Sequence, residues 1–188
     1  MAIDTSDFKN GLTIVQDGDV WQITEFQHVK PGKGGAFVRS KLRQVRTGKV
    51  IDKTFRAGEK MDQAILERRT LQYLYAEGDT LAFMDMETFE TVEYDRSIFG
   101  DKALYLSDQL EVMFVYWKEQ VLDVELPTAI VAEIVQTDPG VRGDTASGGN
   151  KPATIAGGAT VTVPLFINIG DVIKVDTRTG VYVERVKV

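Results

Sequence analysis

The chain is 188 residues long, 43% hydrophobic, free of cysteine and formally −6 in charge. It can bury real cores, but disulfide scaffolds, zinc knuckles and thiol catalysis are excluded. No stretch approaches the roughly 20 apolar residues of a membrane span, and Met1-Ala2-Ile3-Asp4 lacks the regions of a secretory signal, so a cytoplasmic protein is expected.

Taken in order, the chain reads as short strands punctuated by turns. Residues 12–15 and 20–29 are β-rich and flank Gln16-Asp17-Gly18-Asp19, where Asp-Gly signals a hairpin. Lys30-Pro31-Gly32-Lys33-Gly34-Gly35 cannot lie inside a helix or strand. Beyond it, Val38 and Leu42 alternate with Arg39, Lys41 and Arg43. Period-two alternation places the three cations on one face. Thr47-Gly48-Lys49 turns the chain into a strand over residues 50–56. A second set follows at residues 71–76, 81–86, 89–94, 112–117 and 121–126. Residues 97–106 read as the one helix, with Ser97 as N-cap and Asp101 near its middle. After Pro127 come strands at 130–136, 160–169, 172–175 and 181–186, with a Gly-rich loop over residues 143–149. The expectation is an all-β chain of three small β-barrels: residues 1–64 with a basic hairpin, an acidic barrel over 65–127, and a third over 128–188. The last two have the size of oligonucleotide-binding (OB) barrels.

Charge separates these modules. Residues 1–64 carry 11 basic and 8 acidic groups, residues 65–127 carry 5 and 14, and residues 128–188 carry 6 and 6. Between His28 and Lys60, ten cations face two anions. A basic strip on an acidic body suits phosphate contact at one end.

The Pro31–Gly35 loop is the feature with most functional content. Pro31 fixes φ, while Gly32, Gly34 and Gly35 permit positive φ and carry no bulk, leaving Lys33 as the long side chain at a bare tip. It is not a nucleotide-binding P-loop, because the spacing is missing and no helix follows. His28, the single histidine, is expected to pack at the hairpin base. Glu87, Glu90, Glu93 and Asp95 read as a solvated edge, not as a metal or acid–base site. Tyr182 and Arg185 are candidates for stacking on RNA and pairing with its backbone, and Trp21 and Trp117 for the core. No cofactor or metal site is expected, and a hydrolase lacks a nucleophile–base pair.

The run from Phe26 through Lys30-Pro31-Gly32-Lys33-Gly34-Gly35 to Arg39 closely resembles the signature loop of bacterial elongation factor P. The resemblance continues through Tyr73-Leu74-Tyr75, Glu87-Thr88-Phe89-Glu90, Asp138-Pro139-Gly140, Gly143-Asp144-Thr145-Ala146 and Ile173-Lys174-Val175-Asp176, and so spans the chain. It implies a KOW-type barrel followed by two OB barrels in an L that imitates tRNA. It also implies a monomeric, non-enzymatic translation factor, bound to the ribosome between the peptidyl and exit sites beside peptidyl-tRNA, that relieves stalling at consecutive prolines. Lys33 would be the tip residue, extended by a lysine-modifying enzyme. Lys30, Arg39, Lys41 and Arg43 would touch RNA, and Gly143, Asp144 and Thr145 would lie near messenger RNA. Two alternatives remain: an elongation-factor-P-like paralogue, and a general single-stranded nucleic-acid-binding OB protein. The second would need a basic groove with aromatic platforms, which the acidic middle module does not offer.

Overall fold

The computed structural model describes residues 1–140 and 149–187. Among these residues the regular elements are sixteen strands and three short 3₁₀ turns, an all-β architecture. The first strands are β1 (Ala2–Asp4), β2 (Thr13–Gln16), β3 (Asp19–Val29), β4 (Phe37–Gln44), β5 (Val50–Arg56) and β6 (Lys60–Asp62). An antiparallel sheet runs β2-β3-β4-β5, and β1 and β6 pair as a separate ribbon. Asp17 and Gly18 form the two-residue β2–β3 turn with φ of 52° and 79°, the double positive φ that matches strand twist. Ile14, Ile23, Val38, Leu42 and Phe55 are almost wholly buried beneath the sheet, with Ile3, Phe8 and Leu12 closing the core.

The next set comprises β7 (Glu67–Glu77), β8 (Thr80–Asp85), β9 (Thr91–Asp95), β10 (Glu111–Trp117) and β11 (Gln120–Glu125), in the order β11-β10-β7-β8-β9. Phe83 anchors it. Its ring stacks on Phe99 at 5.2 Å and meets Phe114 edge-on at 5.1 Å. The helix expected over residues 97–106 is instead two 3₁₀ turns, Arg96–Ile98 and Gly100–Tyr105. The reason is local. Asp95, not Ser97, is the cap, its Oδ1 accepting the Ser97 N–H at 2.9 Å, and Gly100 at φ 52° breaks the helical run.

The last strands are β12 (Ala129–Thr137), β13 (Asn150–Ile155), β14 (Thr160–Pro164), β15 (Val172–Asp176) and β16 (Val181–Arg185). They form a closed barrel in the order β12-β13-β14-β16-β15, filled by Ile134, Ile155, Val163, Ile167, Ile173 and Val175. The strand expected over 160–169 stops at Pro164, because Pro164 opens a turn in which its carbonyl accepts the Ile167 N–H.

By compactness the chain falls into two units, residues 1–68 with 115–123 and residues 69–114 with 124–188. Within the first, Val20 and Ala64 pack with Leu122, flanked by Leu66 and Trp117. Trp117 is thus half-buried, while Trp21 is buried. Within the second, Leu104, Tyr105 and Leu110 lie on the core of the closed barrel. There the Ala159 N–H donates to the Leu104 carbonyl, and a Cβ at Gly157 would come to 2.2 Å from that same oxygen.

Candidate functional site

The β3–β4 hairpin presents the tip. Its last registered pair is Val29 with Phe37, and every residue from Lys30 to Ala36 is exposed. Gly34 adopts φ 104°, a backbone conformation that strains any residue with a Cβ. Gly32 and Gly35 do not use positive φ; they only leave the loop bare. Lys33 therefore stands at the tip without a covering side chain beside it.

The arms that hold this loop are set by a phase change. Ile23 pairs with Leu42 and Glu25 with Lys41, with Thr24 left as a bulge whose Oγ1 donates to the Lys41 carbonyl at 3.1 Å. The bulge moves the inward positions of β3 from Trp21 and Ile23 to Phe26 and His28, and so turns Glu25 and Gln27 outward. His28 does not pack into a base. It is exposed, its ring edge-on to Phe26 at 5.7 Å, because it lies beyond the reach of the core. On β4, Val38, Ser40 and Leu42 face inward while Arg39 and Arg43 are exposed and Lys41 is partly so. The buried polar residue of this strand, Ser40, donates its hydroxyl to the Lys53 carbonyl at 2.7 Å, which satisfies it.

The three cations share a face as expected, but not an environment. Lys41 Nζ is 3.5 Å from Glu25 Oε2 and directly opposite Asp52 on β5. Arg39 lies between Gln27 and Thr54, its guanidinium 5.6 Å from the Phe37 ring centroid. Arg43 donates to Gln22 Oε1 at 3.3 Å. Arg56, paired with Phe37, joins the same exposed face. In the sequence only the alternation of β5 signals its place on this face. An open groove of about 780 Å³ lies along this part of the hairpin, lined by residues of both faces, among them Phe26, Gln27, Arg39, Ser40 and Lys41.

Tyr182 is half-buried and packs on the barrel core; Arg185 is exposed, its Nη1 3.9 Å from Asp171 Oδ1. Gly143, Asp144 and Thr145 lie outside the described residues. On either side of them, Lys151 is buried with Nζ donating to the Asp138 carbonyl at 2.5 Å, and a Cβ at Gly140 would strike the Leu165 carbonyl. Glu87, Glu90, Glu93 and Asp95 are all exposed. Among the described residues no cluster of His, Cys, Asp or Glu could hold a metal ion, and no helix is long and apolar enough to cross a membrane.

Comparison with known proteins decides the family. Residues 4–61 match the "Elongation factor P (EF-P) KOW-like domain", residues 66–124 the "Elongation factor P (EF-P) OB domain" and residues 130–185 the family's C-terminal domain. The chain is 56% identical over 183 residues to elongation factor P of Microcystis aeruginosa, covering 97% of this chain and 99% of that one. It is 55% identical to that of Picosynechococcus, with the same coverage. The chain belongs to the elongation factor P family. Its role is accordingly in translation on the ribosome, as a factor and not as an enzyme. The fold is also that of "Eukaryotic translation initiation factor 5A" from Methanococcus jannaschii, at TM-score 0.51 and 26% identity, covering 66% of this chain and 93% of that one. A factor of the same kind from Naegleria fowleri, at TM-score 0.54 and 17% identity, covers 67% and 98% and bears on the fold alone. Within the elongation factor P family, the loop around Lys33 is the part of this chain whose geometry most needs a functional explanation.

Proposed function

We propose that this chain binds the ribosome between the peptidyl and exit sites, beside peptidyl-tRNA, and speeds peptide-bond formation at consecutive prolines through Lys33. The supporting observation is the tip itself: Lys33 at the apex of a fully exposed seven-residue loop that Lys30 opens, carried on a hairpin whose arms are registered over eight residue pairs. Such a loop adds nothing to a core. It suits insertion into a confined, phosphate-lined space.

Proline's ring limits both its amine as a nucleophile and the paths open to the nascent peptide. A factor that orders the peptidyl-tRNA lowers the orientational part of the barrier, which in ideal cases amounts to about 7–11 kcal/mol. The ribosome performs the chemistry. Lys30, Arg39, Arg43 and, less strongly, Lys41 meet RNA phosphates, Tyr182 and Arg185 meet tRNA, and Gly143, Asp144 and Thr145 approach messenger RNA. A lysine-modifying enzyme extends Lys33. The chain works as a cytoplasmic monomer of three modules, residues 1–64, 65–127 and 128–188.

The test is a three-proline reporter in cells lacking their own factor. The wild-type chain restores its synthesis, and Lys33→Ala does not while accumulating to the same level. Equal rescue by the two would overturn the reading.

A further inference from the structure

The closed barrel carries a cluster that lies apart from the basic hairpin. Strands β15 and β16 pair Lys174 with Glu184 and Val175 with Tyr182, leaving Val183 as a bulge. In a regular strand, Tyr182 and Arg185 are three positions apart and point to opposite faces. The extra residue cancels that opposition. Tyr182 now lies opposite Val175 and Arg185 opposite Ile173, two fully buried residues, so both side chains project from the same side of the strand.

Phe166, in the turn after β14, completes the group. Its ring meets Tyr182 edge-to-face, with centroids 6.2 Å apart at 89°, and the Arg185 guanidinium lies 5.9 Å from its centroid. The same turn supplies the carboxylate that Arg185 faces: the Asn168 N–H donates to Asp171 Oδ2 at 2.8 Å, and Asn168 Nδ2 donates to the Phe166 carbonyl at 3.2 Å. Phe166 is 57% exposed, far more than a ring that merely fills a core.

We propose that Phe166 is a positioning residue for an RNA-phosphate site in this barrel, its ring holding the Arg185 guanidinium ready for a phosphate beside Tyr182. The inference rests on the reading of Arg185 as an RNA contact. The physical gain is pre-organisation. A guanidinium already placed over a ring gives up less rotamer freedom when its N–H donors engage a phosphate. An exposed cation–π contact of this kind corresponds to about a two- to fivefold change in affinity.

The experiment titrates ribosomes carrying peptidyl-tRNA with the full chain at several salt concentrations. F166A weakens binding by about two- to fivefold, F166W restores it because the π face is kept, and F166L behaves like F166A because bulk without a π face does not hold the cation. R185A weakens binding further and lowers the salt slope by about one unit. The double variant F166A/R185A binds no more weakly than R185A, since the ring acts through the arginine. Wild-type affinity in F166A or F166L overturns the positioning role. Unchanged affinity in R185A removes the RNA contact itself and the inference with it, while the Lys33 reporter still judges the wider function.

Discussion

Arg39 and Lys41 are two positions apart on one exposed face, yet only Lys41 sits between two carboxylates, Glu25 at 3.5 Å and Asp52 across the strand pair. An exposed pair contributes little to stability, but it competes with any phosphate that approaches. Glu25→Gln should therefore tighten ribosome binding, by about 1 kcal/mol at low salt, with the gain fading as salt rises. Arg39→Gln should weaken it and lower the slope of log affinity against log salt by roughly one unit. Binding titrations across a salt series check both, and a Glu25→Gln variant that binds more weakly would contradict this account of the face. A second residue-scale prediction concerns acid. The Asp176 carboxyl is held down to about 2 by the Arg178 side chain and backbone N–H groups, with Arg178 Nη2 2.7 Å away. Its stabilising effect is full above the ordinary carboxylate range and is lost as pH falls from about 4 to about 2. Acid unfolding of wild type and Asp176→Asn should differ above that window and converge below it. The inverted environments of Arg39 and Lys41 were not legible in the sequence, because cross-strand neighbours depend on a register that the Thr24 bulge resets.

At the level of elements, the sequence showed most where chemistry is local. Asp17-Gly18 specified its hairpin, and alternation placed Arg39, Lys41 and Arg43 on one face. It showed less where partners are distant. The three-residue strands β1 and β6 have no period to read. Pro152 disguised β13, although it lies past the last β12–β13 pair, Thr137 with Ala153, where a missing N–H costs the sheet little. The apparent helix failed because Asp95 captured the Ser97 N–H before Ser97 could cap. The 3₁₀ turn over Gly100–Tyr105 nonetheless has a precise job. Leu104 lends its carbonyl to the Ala159 N–H and its side chain to the barrel core. Gly157→Ala would force a methyl against that carbonyl, and overpacking of this kind costs about 1–3 kcal/mol. Thermal or denaturant unfolding should show the loss. Unchanged stability would mean that this contact yields more easily than its geometry indicates.

For the whole molecule, charge and function separate along the chain. Cations concentrate between His28 and Lys60, and acids dominate residues 65–127, so an anion meets an attractive field at the hairpin and a repulsive one at the middle sheet. Length of matching sequence, from the Lys33 loop to Asp176, made the family readable, and matches over residues 4–61, 66–124 and 130–185 establish it. The Phe166 cluster was not readable, since it depends on a bulge and a turn that meet only in the folded barrel. The function we propose has the Lys33 tip accelerate peptide-bond formation at consecutive prolines by positioning peptidyl-tRNA. The most direct measurement is the rate of the first proline–proline bond on purified ribosomes with no factor, with the wild-type chain carrying its native Lys33, and with Lys33→Ala. The wild-type chain should raise that rate, Lys33→Ala bound to saturation should leave it near the factor-free value, and bonds between non-proline residues should change little. A saturating Lys33→Ala variant that accelerates the bond as much as wild type would contradict it.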